Sequence, residues 1–217
     1  MKQSIQLSDH FTYGRLLRFT LPSIGMMIFT SIYGVVDGFF VSNFAGKTAF
    51  AAINLIMPLL MIFSTVGFMF GTGGSALVAK TLGEGDKEKA NRYFSLFVYL
   101  CAALGIVFTV IGMFIAPPVA EALGAEGQML HDAVLYSRII LAALPFGVLQ
   151  LLFQSFMITA EKPMLGLWVT VSSGVTNMVM DAVLVTLLPQ EWKLTGAAIA
   201  TALSQTVGGA IPLVYFS

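Results

Sequence analysis

Two aspartates in apolar surroundings are the residues of this sequence most suited to chemistry. Asp37 lies in SIYGVVDGFF, residues 31–40, and Asp181 lies in GVTNMVMDAVLV, residues 174–185. An unpaired charge in hydrocarbon or in a protein core is costly, so each carboxylate needs a compensating partner. Intramembrane carboxylates usually face an interior or a water-filled cavity and mark ion or proton pathways. The two aspartates therefore predict a buried site for a cation or a proton.

The composition of the 217-residue chain is that of a membrane protein. Hydrophobic residues make up 57% of it, charged residues make up 10%, and the mean hydropathy is +0.87. The net charge of zero gives no reason to expect a nucleic-acid partner. The single cysteine, Cys101, excludes an internal disulfide and a CxxC pair. The sequence shows no nucleophile with a base, no metal-ligand cluster and no phosphate loop, so we expect neither an enzyme nor a bound cofactor.

Six apolar runs are long enough to cross a hydrocarbon layer of about 30 Å, which takes about 20 helical residues. They cover residues 15–44, 48–80, 90–116, 128–160, 163–188 and 194–217. Because the connections are short, neighbouring spans should be antiparallel. The predicted fold class is an all-α membrane protein, a single domain over residues 1–217 that forms a bundle of six transmembrane helices.

Helix punctuation separates these spans. Gly83 and Gly85 stop one helix, and Asp86 is suited to capping the next. Pro163 suits the first turn of the fifth span. Thr195 is a candidate cap for the sixth.

Lysine and arginine predict the orientation of the bundle. Three basic residues fall on one side of the membrane, namely Lys47, Arg138 and Lys193. Eight fall on the other side, namely Lys2, Arg15, Arg18, Lys80, Lys87, Lys89, Arg92 and Lys162. The positive-inside rule then places the N-terminus in the cytoplasm.

The depths of the polar residues match. Asp37 and Asp181 each lie ten residues from the external end of their helix, which corresponds to about 15 Å. Thr201 lies about 12 Å into the sixth span, and Asn177 is one turn from Asp181 on the same face. Two carboxylates, an amide and a hydroxyl form an all-oxygen set that suits a hard monovalent cation and a shuttled proton equally well.

Four spans carry a polar stripe at helical spacing, which indicates faces turned away from lipid. The stripes are Ser23, Thr30, Tyr33, Gly34 and Asp37 in span one; Tyr136, Gly147, Gln150 and Gln154 in span four; Thr170, Ser173, Gly174, Asn177 and Asp181 in span five; and Thr201, Ser204, Gln205 and Gly208 in span six. An alternative role for the small and hydroxylated members, and for Gly67 and Gly71, is close packing of helix against helix.

The chain resembles the multidrug and toxic compound extrusion (MATE) transporters, in particular the prokaryotic multidrug export subgroup. The resemblance rests on a first span with Pro22, Tyr33 and Asp37, and on GTGGSALVAKTLGEGDKEKAN, FMITAEKPMLGLWV, GVTNMVMDAVLV and LTGAAIATALSQ. It implies an antiporter of twelve helices in two six-helix lobes that expels organic, often cationic, drugs in exchange for Na⁺ or H⁺. This chain resembles the N-terminal lobe alone, so a missing C-terminal lobe or a second copy is an expected partner.

The resemblance also implies roles for particular residues. The cation site would consist of Asp37, Asn177, Asp181 and Thr201. The surrounding cavity would include Tyr33, Tyr136 and Gln154, and Pro22 would be a hinge of the first helix. The expected location is the prokaryotic inner (cell) membrane, as a multi-pass protein in the lipid bilayer that meets a small-molecule drug.

Two other functions stay open at this stage. A lipid-linked oligosaccharide flippase of the same superfamily would prefer a cavity lined with basic residues, whereas Arg138 is the single intramembrane basic residue and no intramembrane lysine is found. A structural membrane protein could use the aspartates only to join helices. Such a protein should be indifferent to sodium, which the fluorescence of Trp168 can report.

Overall fold

The computed structural model describes residues 13–216, and within them the chain is a bundle of long helices. These are α1 (Tyr13–Phe40), α2 (Lys47–Gly83), α3 (Lys87–Ala122), α4 (Gly127–Thr159), α5 (Pro163–Leu187) and α6 (Lys193–Phe216). All six are long and apolar enough to cross a membrane, so the predicted fold class is confirmed. Lys2, used for the orientation, lies outside the described residues.

The helix boundaries follow most of the sequence signals. The Asp86 carboxylate accepts a hydrogen bond from the Lys89 backbone N–H at 3.0 Å, which is an N-cap. Gly85 has a φ of +88°, which favours glycine, and Pro163 begins α5. The predicted cap at Thr195 is wrong. A 3₁₀ turn, Gln190–Trp192, leads directly into α6, so that Thr195 already lies inside the helix.

Two helices depart from simple continuations of their apolar runs. α3 continues through Pro117 and Pro118 to Ala122, past the predicted span. Ala116 and Ala120 on this segment are fully buried, and their packing favours the helix despite the lost backbone hydrogen bonds. α1 continues as one π-helical turn, Val41–Ala45, a conformation that often occurs near functional sites.

The helices form an open ring. α1 packs on α5, α5 on α6, α6 on α4, and α4 on α2, with α3 outside against α2 and α4. Between α1 and α2 the ring is interrupted by a groove of about 450 Å³. We call the end with the turns at 84–86 and 160–162 the basic end, and the end with the turns at 123–126 and 188–192 the opposite end.

Close contact between α2 and α4 depends on glycine. A Cβ on Gly67 would lie 2.2 Å from the carbonyl oxygen of Val148, and one on Gly71 would lie 3.1 Å from that of Leu151. The GxxxG spacing therefore places two backbones against each other, as small residues do in membrane bundles. The packing role considered for these glycines is confirmed.

Candidate cation site

Asp181 occupies the centre of the ring. It is fully buried on α5, on the same face as the buried Asn177, Ser173 and Thr170. This face reads as predicted, because residues three, four, seven or eleven apart share one side of a helix.

α1 lies close to α5, the helix of Asp181, because α5 has a glycine, Gly174, at the contact. A Cβ on Gly174 of α5 would lie 2.5 Å from the Phe29 ring and 2.9 Å from the Tyr33 ring. Its absence lets α1 approach α5 closely, with the π-helical turn following. The approach brings Asp37, one turn beyond Tyr33, to the acid on α5.

The four predicted ligands lie together. The Asp37 side chain interacts with those of Asp181, Asn177 and Thr201, and the Asn177 amide nitrogen donates to the Thr201 hydroxyl at 3.5 Å. We call these four residues the acid cluster. The buried side chain of Tyr136, on α4, interacts with Thr201.

Acceptors without donors distinguish the acid cluster. Both carboxylate oxygens of Asp181, Oδ1 of Asp37 and Oδ1 of Asn177 are buried and have no hydrogen-bond donor among the described residues. Buried polar atoms are normally partnered, and two ionised carboxylates have no proton to share between them. Repulsion between two such charges in a low dielectric is strong. The acid cluster is therefore a group of buried acceptors whose oxygens a cation or a shared proton would satisfy.

Asp37 also faces the groove between α1 and α2. The groove walls include Gly38, Phe50, Asn54 and Met57, so one carboxylate borders both the closed interior and an open space. Sequence reasoning missed Asn54, whose side-chain nitrogen donates to the Phe50 carbonyl at 2.8 Å. Its depth was the available signal, because it lies seven residues into α2, about 10 Å, which is within about one helical turn of the depth of Asp37.

A second polar group supports the acid cluster from the side of the basic end. The Ser173 hydroxyl donates to the Ser204 carbonyl at 2.7 Å, and the Gln150 amide donates to Ser173 at 3.3 Å. The Ser204 hydroxyl donates to the carbonyl of Thr201 at 2.9 Å. These bonds tie α4, α5 and α6 together directly beneath a predicted ligand.

Gln205, which was part of the polar stripe of span six, is a further candidate that the sequence did not single out. Its Oε1 atom is buried and has no donor among residues 13–216, and it lies close to Gly147 of α4. It is one turn from Thr201, so the set of unpartnered oxygens extends below the acid cluster.

Two predicted residues lie apart from the acid cluster. Gln154 borders a narrow gap with Gln150, Gly166 and Thr170, and Thr170 is eleven residues before Asp181, about 16 Å along α5. Pro22 is buried on α1, which runs through it without interruption, and fifteen residues separate it from Asp37.

The predicted stripe of span one is wrong in part. Thr30 and Gly34 are exposed, whereas Tyr33 and Asp37 are partly buried. Gly34 lines the groove between α1 and α2 instead of packing on α5. The reason is that α1 has a neighbour on one side only, so a smaller part of its surface is covered than a full stripe requires.

Six membrane-length helices with two aspartates that interact between α1 and α5 define a multi-pass membrane protein, and such intramembrane carboxylates often mark transport pathways. A model of the MatE family matches residues 22–183, which is most of the chain. The chain belongs to the MatE family, a family of transporters.

Relatives and solved structures agree with this assignment. The chain is 26% identical over 216 residues to "Multidrug export protein MepA" of Staphylococcus haemolyticus, covering 100% of this chain and 47% of that protein. It is 25% identical over 201 residues to the protein of the same name from Staphylococcus saprophyticus, covering 93% and 44%. The chain thus spans about half the length of the curated relatives it matches.

Among solved structures, a MATE protein in the bent conformation superposes with a TM-score of 0.83 at 25% identity, over 92% of this chain and 44% of that one. A MOP superfamily transporter from Pyrococcus furiosus gives a TM-score of 0.85 at 24% identity over the same shares. Both cover one half of the larger protein, which matches the predicted single lobe.

Proposed function

We propose that this chain is the ion-binding half of a secondary antiporter that exports organic, often cationic, drugs in exchange for Na⁺ or H⁺. The acid cluster supports the proposal, because its buried oxygens lack donors and need a positive partner. A second lobe, or a second copy of this lobe, would complete the transport path.

The proposed coupling needs only differential affinity. An ion or proton at Asp37 and Asp181 neutralises the pair and favours one conformation of the lobe. A cationic drug in the groove beside Asp37 is favoured when the carboxylate is uncompensated. Since both draw on the same charge, each weakens binding of the other by an equal factor.

The geometry of the acid cluster does not favour Na⁺ over H⁺, or the reverse. Two carboxylates, the Asn177 carbonyl and the Thr201 hydroxyl supply oxygens that suit a hard cation. A coupled pair of acids can equally hold one exchangeable proton. Which gradient drives export is therefore a question for measurement.

Transport by the full-length protein in energised vesicles tests this function. A sodium gradient and a pH gradient are imposed separately, and efflux of a fluorescent organic cation is followed. We expect one of the two gradients to drive efflux without the other. Efflux that depends on neither gradient would contradict antiport.

One observation disfavours the flippase alternative. Arg138, the basic residue within span four, is exposed on the outer side of α4 and lines a surface cavity with Ala142 and Phe146. It does not point into the ring, so the described cavity walls beside Asp37 offer no cation for a pyrophosphate. A purely structural role predicts a thermal unfolding midpoint and Trp168 fluorescence that do not respond to sodium or pH.

A further inference from the structure

We propose that the outer face of α4 binds the phosphate of an anionic phospholipid through Arg138, with an acyl chain of that lipid in the furrow between α4 and α6. This site is separate from the acid cluster, and its ligand is a lipid and not an exported drug. The proposal does not depend on the antiport function.

Arg138 lies at the depth of the acid cluster but on the other side of its helix. Tyr136, two residues earlier, is buried next to Thr201. Two residues along a helix turn the side chain by about 200°, and Arg138 accordingly is exposed. It therefore presents its charge away from the ring, on the outer surface of the described chain.

The charge of Arg138 has no partner within the described chain. None of the ion pairs among residues 13–216 includes it. α4 has 33 residues and is about 50 Å long, about 20 Å more than the hydrocarbon layer. Arg138 lies eleven residues into this helix, about 16 Å from its end, so its side chain can reach the headgroup boundary at the opposite end. Arginine at such a depth is rare, and it is tolerated when it extends towards the headgroups or pairs with an anion.

The furrow next to Arg138 is a shallow surface depression whose apolar lining suits a hydrocarbon chain. Its volume is about 440 Å³, and apart from Arg138 its lining residues are Ile139, Ala142, Ala143, Phe146, Ala202 and Thr206. The Thr206 hydroxyl is satisfied by the Ala202 carbonyl at 2.8 Å, so the furrow offers no free donor there. An apolar furrow with one cation matches a lipid better than a soluble anion.

The direction of the furrow fits a lipid of the leaflet at the opposite end. α4 enters the membrane at that end, so Arg138 is its outermost furrow residue, and Ala142 and Phe146 lie one and two turns deeper. A headgroup at Arg138 therefore leaves the acyl chain pointing to the bilayer centre. Guanidinium binds phosphate through two parallel hydrogen bonds, which makes arginine the suitable residue type.

Retention of lipid by the full-length protein tests the site. The protein is purified from nanodiscs of phosphatidylcholine with or without phosphatidylglycerol, and bound lipid is counted by native mass spectrometry. We expect Arg138→Gln to lower phosphatidylglycerol affinity by about tenfold, the loss of one charge-assisted contact. Arg92→Gln, at an exposed arginine of the basic end, should keep the native affinity.

Two further arms test the acyl chain and the headgroup of the lipid separately. Ala142→Trp fills the furrow but leaves Arg138 in place, and it should also release the lipid. Soluble glycerol phosphate should not raise the thermal unfolding midpoint, whereas phosphatidylglycerol should. The proposal fails if Arg138→Gln retains phosphatidylglycerol like the native protein, if Ala142→Trp does so, or if soluble phosphate stabilises as well as the lipid.

Discussion

The α2–α4 side and the α1–α5–α6 side of this bundle are built differently. Between α2 and α4, Gly67 and Gly71 bring two backbones into contact, and at Gly67 there is no room for a methyl group. The other side holds the acid cluster, and α1 has three buried residues where α4 has fifteen. Since local stability follows buried contacts, α1 is the helix best able to move.

This difference suggests a division of roles. The dry α2–α4 contact is a rigid frame, because close-packed interiors tolerate little displacement. The helices that carry the carboxylates, α1 and α5, are joined by polar contacts and by side chains of α1 that pack on Gly166 and Gly174 of α5. A change of charge at the acid cluster can thus shift α1 without disturbing the frame.

The largest predicted effect concerns the frame. Gly67→Ala puts a Cβ at 2.2 Å from a backbone oxygen of α4, and we expect it to destabilise the protein by about 3 kcal/mol or more. Gly34→Ala is the matched control on α1, where nothing lies within 4 Å. It should be neutral or slightly stabilising. Thermal unfolding in detergent measures both, and equal behaviour of the two variants would remove the distinction between the sides.

The next prediction concerns the charge of Asp37, which borders both the acid cluster and the groove between α1 and α2. Asp37→Asn keeps the size of the side chain but removes the charge that ion and drug share, so gradient-driven efflux should fall to the level of empty vesicles. The variant should insert and fold, because α1 has few buried contacts. Glu121→Gln, at an exposed acid of α3, should transport normally. Normal efflux from Asp37→Asn would contradict the proposed coupling.

A smaller effect is expected from the support beneath the acid cluster. Ser173→Ala removes the hydrogen bond to Ser204 and leaves Gln150 without an acceptor. We expect a loss of about 1–2 kcal/mol in the free energy of unfolding. Thr72→Ala, whose hydroxyl bonds only within its own exposed turn, should cost less than about 0.5 kcal/mol. Equal losses of unfolding free energy in the two variants would show that the hydrogen bonds of Ser173 do not stabilise the protein more than a local hydroxyl bond does.

The smallest effect is predicted for the hinge. Pro22→Ala restores a backbone donor to α1 and should make the helix stiffer. Efflux should fall a few-fold while ion-dependent stabilisation of the protein is unchanged, because Pro22 is far from the acid cluster. Loss of the ion response in this variant would mean that Pro22 shapes the site itself.

The sequence predicted the fold class, and it predicted which acids would share a depth. Six apolar runs and their glycine and proline breaks are local signals, so the number and approximate bounds of the helices could be read from them. The spacing of four residues placed Asp181 and Asn177 on one face. That face is buried because α5 is covered on two sides. The role of these residues in binding an ion stays a prediction.

The errors and omissions have a common cause. Periodicity shows which residues share a face, but it does not show how many neighbours a helix has. Thr30 and Gly34 were therefore assigned to the covered face of α1, which is narrower than a full stripe requires. Asn54 was missed because the α1–α2 groove arises from the order of the helices in the ring. That order depends on close contacts at Gly67 and Gly174, which one sequence does not reveal.

Competition between ion and drug in the purified full-length protein tests the central claim most directly. Binding of a fluorescent organic cation is titrated at increasing sodium at fixed pH, and at decreasing pH without sodium, for the native protein and for Asp37→Asn. The account predicts that one of the two ions weakens drug binding to the native protein and that this dependence is absent in the variant. Drug binding that ignores both ions, or an unchanged dependence in Asp37→Asn, would contradict it.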